Sequence, residues 1–112
     1  MFAIPILPGK TEQAKEFFAT MNGARRAEAE AAGKRHGLRK ETFFIQSSPQ
    51  GDMILIYIEA DDPDKANAAY AADDDPFVVW NRQQSKEITG FDLADTSAPK
   101  PPPPLQVWKL GY

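Results

Sequence analysis

The hydrophobic positions change period several times along the chain, and each change marks an element. Phe2, Ile4 and Ile6 alternate with Ala3, Pro5 and Leu7, the two-residue period of a short strand. Pro5 has no N–H to donate, so that strand belongs at an edge or in a one-sided pairing. Pro8-Gly9 then turns the chain. From Thr11 the spacing becomes three and four: Ala14, Phe17, Phe18 and Met21 share a stripe, with Thr11 as cap and Glu12 at the positive helix start. This helix is predicted to reach about Arg35, weakened at Gly23 and Gly33 and stopped by His36-Gly37.

Residues 38–47 and 53–58 are β-rich and flank the turn Ser48-Pro49-Gln50-Gly51, which predicts a hairpin. Asp61-Asp62-Pro63 and Asp75-Pro76 each set a carboxylate before a proline, the sign of a helix start. The first opens a short helix with Ala66, Ala68, Ala69 and Tyr70 that ends near Asp73. The second opens a helix carrying Phe77, Trp80, Gln84 and Ile88 on one side and ending at Gly90. Residues 92–104 show no periodicity and hold Pro99 and the four prolines of 101–104, so they read as an extended connector to a last strand at 105–110.

The order strand, long helix, strand, strand, helical segment, strand predicts an α+β chain of the ferredoxin-like βαββαβ class. A single domain over 1–112 is expected, with a four-stranded antiparallel sheet covered on one face. The third strand complicates that picture. Ile54, Ile56 and Ile58 lie on one side of it and Met53, Leu55 and Tyr57 on the other, so both faces are apolar. The simplest second cover is another copy, a homodimer through the sheet faces, at a typical scale of about 800 Å² per partner.

A hydrophobic fraction of 42% with 26% charged residues is the composition of a globular chain rather than a disordered one. The absence of cysteine removes disulfides, thiolate nucleophiles and cysteine-based zinc sites, and makes the cytoplasm the expected compartment. No apolar run has membrane-spanning length and the first residues lack a basic leader, so no membrane association is expected. A net charge of -3 argues against nucleic acid as the partner. A small molecule fits better.

Candidate chemistry begins where the first helix's apolar stripe turns polar at Arg25, Glu28 and His36. Two readings stay open: solvated residues with local arginine–glutamate pairing, or the polar half of a roof over a cavity. Asn81 and Gln84 interrupt the face of Trp80 on the last helix. Glu41 and Tyr57 sit among apolar strand positions, where each needs a partner if buried. A buried Glu41 either pairs with a cation such as Arg25 or Arg39, or has a raised pKa useful for proton transfer. His36 is the only histidine, which leaves no zinc or iron spacing, and the aspartate runs at 61–64 and 73–75 read as helix starts rather than calcium loops. No metal is expected.

Several short matches run together: Pro8-Gly9-Lys10-Thr11, Arg25-Arg26 with Glu28, Gly37 followed by Glu41 and Phe44, and Tyr57-Ile58-Glu59-Ala60. In these the chain resembles the dimeric α+β barrel superfamily of antibiotic-biosynthesis monooxygenases and EthD-like proteins, and within it an uncharacterised family of small proteins. The resemblance implies a ligand cavity between helices and sheet, and cofactor-free oxygenation, cyclisation or isomerisation of an acidic carbon. Glu41 or His36 would take the proton, while Arg25, Asn81 or Tyr57 would steady the oxygen. Glu28, Trp80 and Gln84 would complete the binding surface. Haem-binding relatives carry a histidine on the later helix; none stands between Pro63 and Gly90, so no cofactor is expected. The competing class is a non-catalytic homodimer, a binding or structural accessory protein, with Arg25, Glu28 and Glu41 in one ion-pair network.

Overall fold

The hairpin forms as its turn residues require. In a computed structural model that describes residues 2–93, Phe2 by its backbone alone, β2 (Leu38–Ser48) and β3 (Gly51–Ala60) pair antiparallel with Ser48 opposite Gly51. β1 (Phe2–Pro5) lies on the other side of β3, giving the order β1-β3-β2 and placing Pro5, among the described residues, on an edge strand.

Register fixes what each face carries. Ile4, Phe43 and Ile45 flank Ile54 and Ile56, and this alternation meets Ala14, Phe17 and Ile88 from the helices to form the main core. A second cluster joins Ala32, Phe77 and Val78 between helices.

Four helices cover that face: α1 (Thr11–Asn22), α2 (Arg26–Arg35), α3 (Pro63–Ala72) and α4 (Pro76–Thr89). The two Asp-Pro starts behave as read. Asp62 accepts from the Lys65 N–H at 3.1 Å and Asp75 from the Phe77 N–H at 3.0 Å, each satisfying a helix-start donor. Gly90 ends α4 in the left-handed region at φ 78°, and the Leu7 N–H donates to the Ile88 carbonyl at 2.8 Å, tying β1 to α4.

The long first helix does not form as one piece. Gly23, at φ -121° and ψ -100°, ends α1, and α2 begins at Arg26 after a turn in which the Arg25 N–H donates to the Thr20 carbonyl. Asn22 and Gly23 are weak helix formers, so little helical energy is lost by turning there. Thr11 is not the cap either. It is the first helical residue, and its hydroxyl donates to Asp52 Oδ2 at 2.6 Å.

The expected architecture is corrected with it. The order is β1-α1-α2-β2-β3-α3-α4, and among the described residues the sheet has three strands and stays open, so neither the ferredoxin-like βαββαβ class, its four-stranded sheet, nor a dimeric α+β barrel describes what those residues form. The order of elements predicted the four-stranded class, and the apolar faces of the third strand with the resemblance predicted the barrel; among the described residues the observed pairing leaves β1 and β2 as the sheet's two edges. The strand expected at 105–110, and all of the connector beyond residue 93, lie outside the described residues. Among the described residues no helix is long and apolar enough to cross a membrane.

Candidate functional site

Helices and sheet enclose a cleft of about 850 Å³. Phe43, Ile54, Ile56 and Ile58 contribute its sheet side, Phe17 and Phe18 of α1 and Ala32 of α2 one wall, and Ala66 of α3 and Val78 of α4 another. The lining continues to β1 and to residues 91–93 beyond α4.

Into this apolar surface comes Glu41. It stands opposite Ile58 on the alternation of Phe43 and Ile45, so the strand's pleat turns its carboxylate toward the helices. As a residue Glu41 is exposed where the cleft opens, yet its carboxyl lies against the cleft's walls, and the desolvation there pushes it up to about 7. Neither cation proposed as its partner is there. Arg25 grips Glu28 at 2.9 and 3.0 Å, and Arg39 approaches Asp61 at 3.4 Å. Of the two alternatives read from sequence, the raised pKa is the one the geometry produces.

Tyr70 of α3 and Asn81 of α4 form the cleft's other polar pair. The Tyr70 hydroxyl donates to Asn81 Oδ1 at 2.5 Å, and Asn81 Nδ2 donates to Met21 Sδ at 3.0 Å. Burial raises the Tyr70 hydroxyl above its ordinary value, and the nearby charges of Glu41 and Asp92 raise it further, against Ser85 and Arg82. Arg82 holds the two helices in place by donating to the carbonyls of Tyr70 at 2.6 Å and Asp73 at 2.7 Å.

His36 closes one end. It caps α2, its ring is buried, and Nε2 lies 2.7 Å from Asp73 Oδ2 with the Tyr70 ring edge-on at 6.0 Å. Asp73 also accepts from the Asp75 N–H and from Arg35 Nη2, both at 2.9 Å; these bonds, with His36, hold its carboxyl well below the usual range.

The other expected site residues go elsewhere. Arg25 lies over Trp80 at 4.6 Å and Phe77 at 5.0 Å, outside the cleft, with Glu28 beside it. The break at Gly23 is the reason: α2 starts a new direction, so the stripe of α1 does not run on through Arg25 and Glu28. Trp80 stacks on Phe17 and Phe77 as a packing residue. Tyr57 lies on the opposite alternation from Ile58 and donates to Glu59 Oε1 at 2.7 Å. Gln84 accepts from Gln13 Nε2 at 3.2 Å in a shallow polar depression on α4.

Glu41, His36 and Asn81 are therefore brought to one cleft, and Arg25, Glu28, Tyr57, Trp80 and Gln84 are not. Tyr70, Ser85 and Asp73 were missed. Tyr70 had counted only as an apolar member of a short helix, and Asp73 only as part of a helix start; both gain their roles across an interhelical contact that no local spacing encodes.

One family model, described as a family of unknown function (DUF6176), matches residues 1–94. The chain belongs to DUF6176. The span matched in DUF6176 includes every residue of the cleft just described. No curated protein and no solved structure matches the chain. The monooxygenase-like superfamily resemblance is overturned by the open three-stranded sheet of the described residues, and the family that matches is one of unknown function.

Proposed function

We propose that this DUF6176 chain binds a small, largely apolar or aromatic molecule in the cleft, with Glu41 as the group that exchanges a proton with it. The observation that carries this reading is the meeting of Glu41, Tyr70 and Asn81 in a cleft whose walls are mostly hydrocarbon. A carboxyl near 7 is present in both protonation states at neutral pH, the condition for a general acid or base. Enzymatic isomerisation or cyclisation rests on that property alone. The accessory alternative is less supported, because the network it needs stops at Arg25 and Glu28 and does not reach Glu41.

Titration of the full chain with the neutral fluorophore N-phenyl-1-naphthylamine tests the binding claim. One saturable site is expected, lost in Ser85→Trp, which fills the cleft. Absence of saturable binding, or equal binding by a folded Ser85→Trp, overturns it.

We infer in addition that a second copy covers the sheet's outer face. Phe44 is 54% exposed there, and among the described residues it shares that face with the partly exposed Met53, Leu55 and Tyr57. Apolar surface of this kind on a sheet is more stable when covered.

A further inference from the structure

We propose, resting on that reading, that the cleft selects a cation: a protonated amine carried on an apolar or aromatic body. The charge of the lining points there. Among the described residues no lysine or arginine lines the cleft, whereas Glu41 of β2, Asp64 of α3 and Asp92 after α4 do. His36 is the remaining titratable group besides Tyr70, and Asp73 balances it at 2.7 Å. Asp64 and Asp92 have interactions of their own, so the ammonium is assigned to Glu41.

The cations nearest in sequence or space have partners of their own. Lys40 lies over the Tyr57 ring on the other face of the sheet, Arg39 lies toward Asp61, and Arg82, 5.8 Å from the centre of the Tyr70 ring, spends Nη1 on two carbonyls. An anionic ligand would enter a lining that carries three carboxyl groups and no lysine or arginine. A cation finds a carboxylate, the acceptor lone pairs of the Tyr70 hydroxyl, and the ring of Phe43 two positions along the same strand face. The Phe18 and Phe43 rings, 4.9 Å apart, give the hydrocarbon body its contact.

Proton balance follows from the same arrangement. An ammonium beside Glu41 favours its carboxylate, so the carboxyl proton leaves to solvent as the amine enters; no bond of the ligand breaks.

Three probes of one shape separate charge from shape: 2-naphthylmethylamine, 2-naphthylmethanol and 2-naphthoate, each titrated calorimetrically into the full chain near pH 7. The amine is expected to bind about tenfold more tightly than the alcohol and the carboxylate most weakly. Glu41→Gln should remove the amine's advantage over the alcohol. In the unaltered protein the amine's advantage over the alcohol should weaken as pH falls and Glu41 takes up its proton, a readout that stands even if the variant fails to fold. Equal binding of amine and alcohol overturns the charge assignment and leaves the cleft standing. No binding of any probe to a folded chain overturns both.

Discussion

Glu41 stands directly across from Ile58 in the β2–β3 ladder, so a carboxylate continues the apolar row of Phe43 and Ile45 under the helices. Its titration at about 7, against an ordinary 4.5, means that the folded state holds its proton more tightly than the unfolded chain does. Stability from this group is complete below the unfolded value and falls as pH rises from about 4.5 to 7. Solvent in the cleft reduces the full effect to about 1–2 kcal/mol. Urea unfolding of Glu41→Gln should match the parent near pH 4.5 and exceed it by that amount at pH 8. Parallel pH profiles would contradict the carboxyl's burial.

Two tyrosines should separate by environment. Tyr70 is half-buried and is hydrogen-bonded to Asn81, whereas the Tyr57 hydroxyl meets the exposed Glu59. Tyr70→Phe removes a donor that Asn81 Oδ1 cannot replace in place and should cost about 1 kcal/mol. Tyr57→Phe should change stability by less than about 0.5 kcal/mol. Denaturant midpoints of the two variants check the order.

Much of the fold was legible because its punctuation is local. The Asp-Pro starts at 62–63 and 75–76, the Gly90 stop and the hairpin turn at Ser48 each depend on neighbours within four residues. The break at Gly23 was not, since Gly33 carries the same weak propensity and stays helical within α2. Tertiary context decided between two alike glycines. For the site, Glu41 was legible as an ionisable residue in an apolar alternation, and its missing cation was not, because Arg25 was displaced by that same break. Tyr70 joins the cleft through a hydrogen bond to a residue eleven positions away on another helix, a relation that periodicity does not carry.

The Asp73 cluster should govern the acid limb. The Asp75 N–H, Arg35 and His36 depress its carboxyl, so the stability they supply is complete above the unfolded value of about 4 and is lost as pH falls through the lower folded value. Asp73→Asn should lose about 1–2 kcal/mol at pH 7 through weakened charge-assisted bonds. The difference should shrink below pH 3. Thermal melts at both pH values would show it, and an equal loss at both would mean that charge is not what these bonds contribute.

Phe44 offers a direct reading of the sheet's outer face. Phe44→Lys sets a charge on that face beside Leu55, its ladder partner. If a second copy covers the face, sedimentation of the parent should give a dimer and the variant a monomer with an unchanged far-ultraviolet spectrum. A parent that stays monomeric at high concentration removes the inference.

Gly33 and Gly37 should respond to alanine with opposite signs. Gly33 lies inside α2, and a Cβ there would meet only the Leu38 Cβ at 3.9 Å, an ordinary contact. Alanine at that position loses less backbone entropy on folding and should stabilise by about 0.5–1 kcal/mol. Gly37 turns the chain from α2 into β2 at φ 79°, between the His36 that ends the helix and the strand that carries Glu41. Nothing lies within 4 Å of its added Cβ, so any cost comes from the backbone conformation and not from a clash. Gly37→Ala should therefore destabilise by about 1–2 kcal/mol, and Gly37→Asn by less, since asparagine tolerates the left-handed region better. Thermal melts should place Gly33→Ala above the parent and Gly37→Ala below it, with Gly37→Asn between the latter two. A Gly37→Ala protein as stable as the parent would mean that the turn leading into β2 relaxes out of its left-handed conformation at no cost, and with it the fixed approach of His36 and Glu41 to the same cleft.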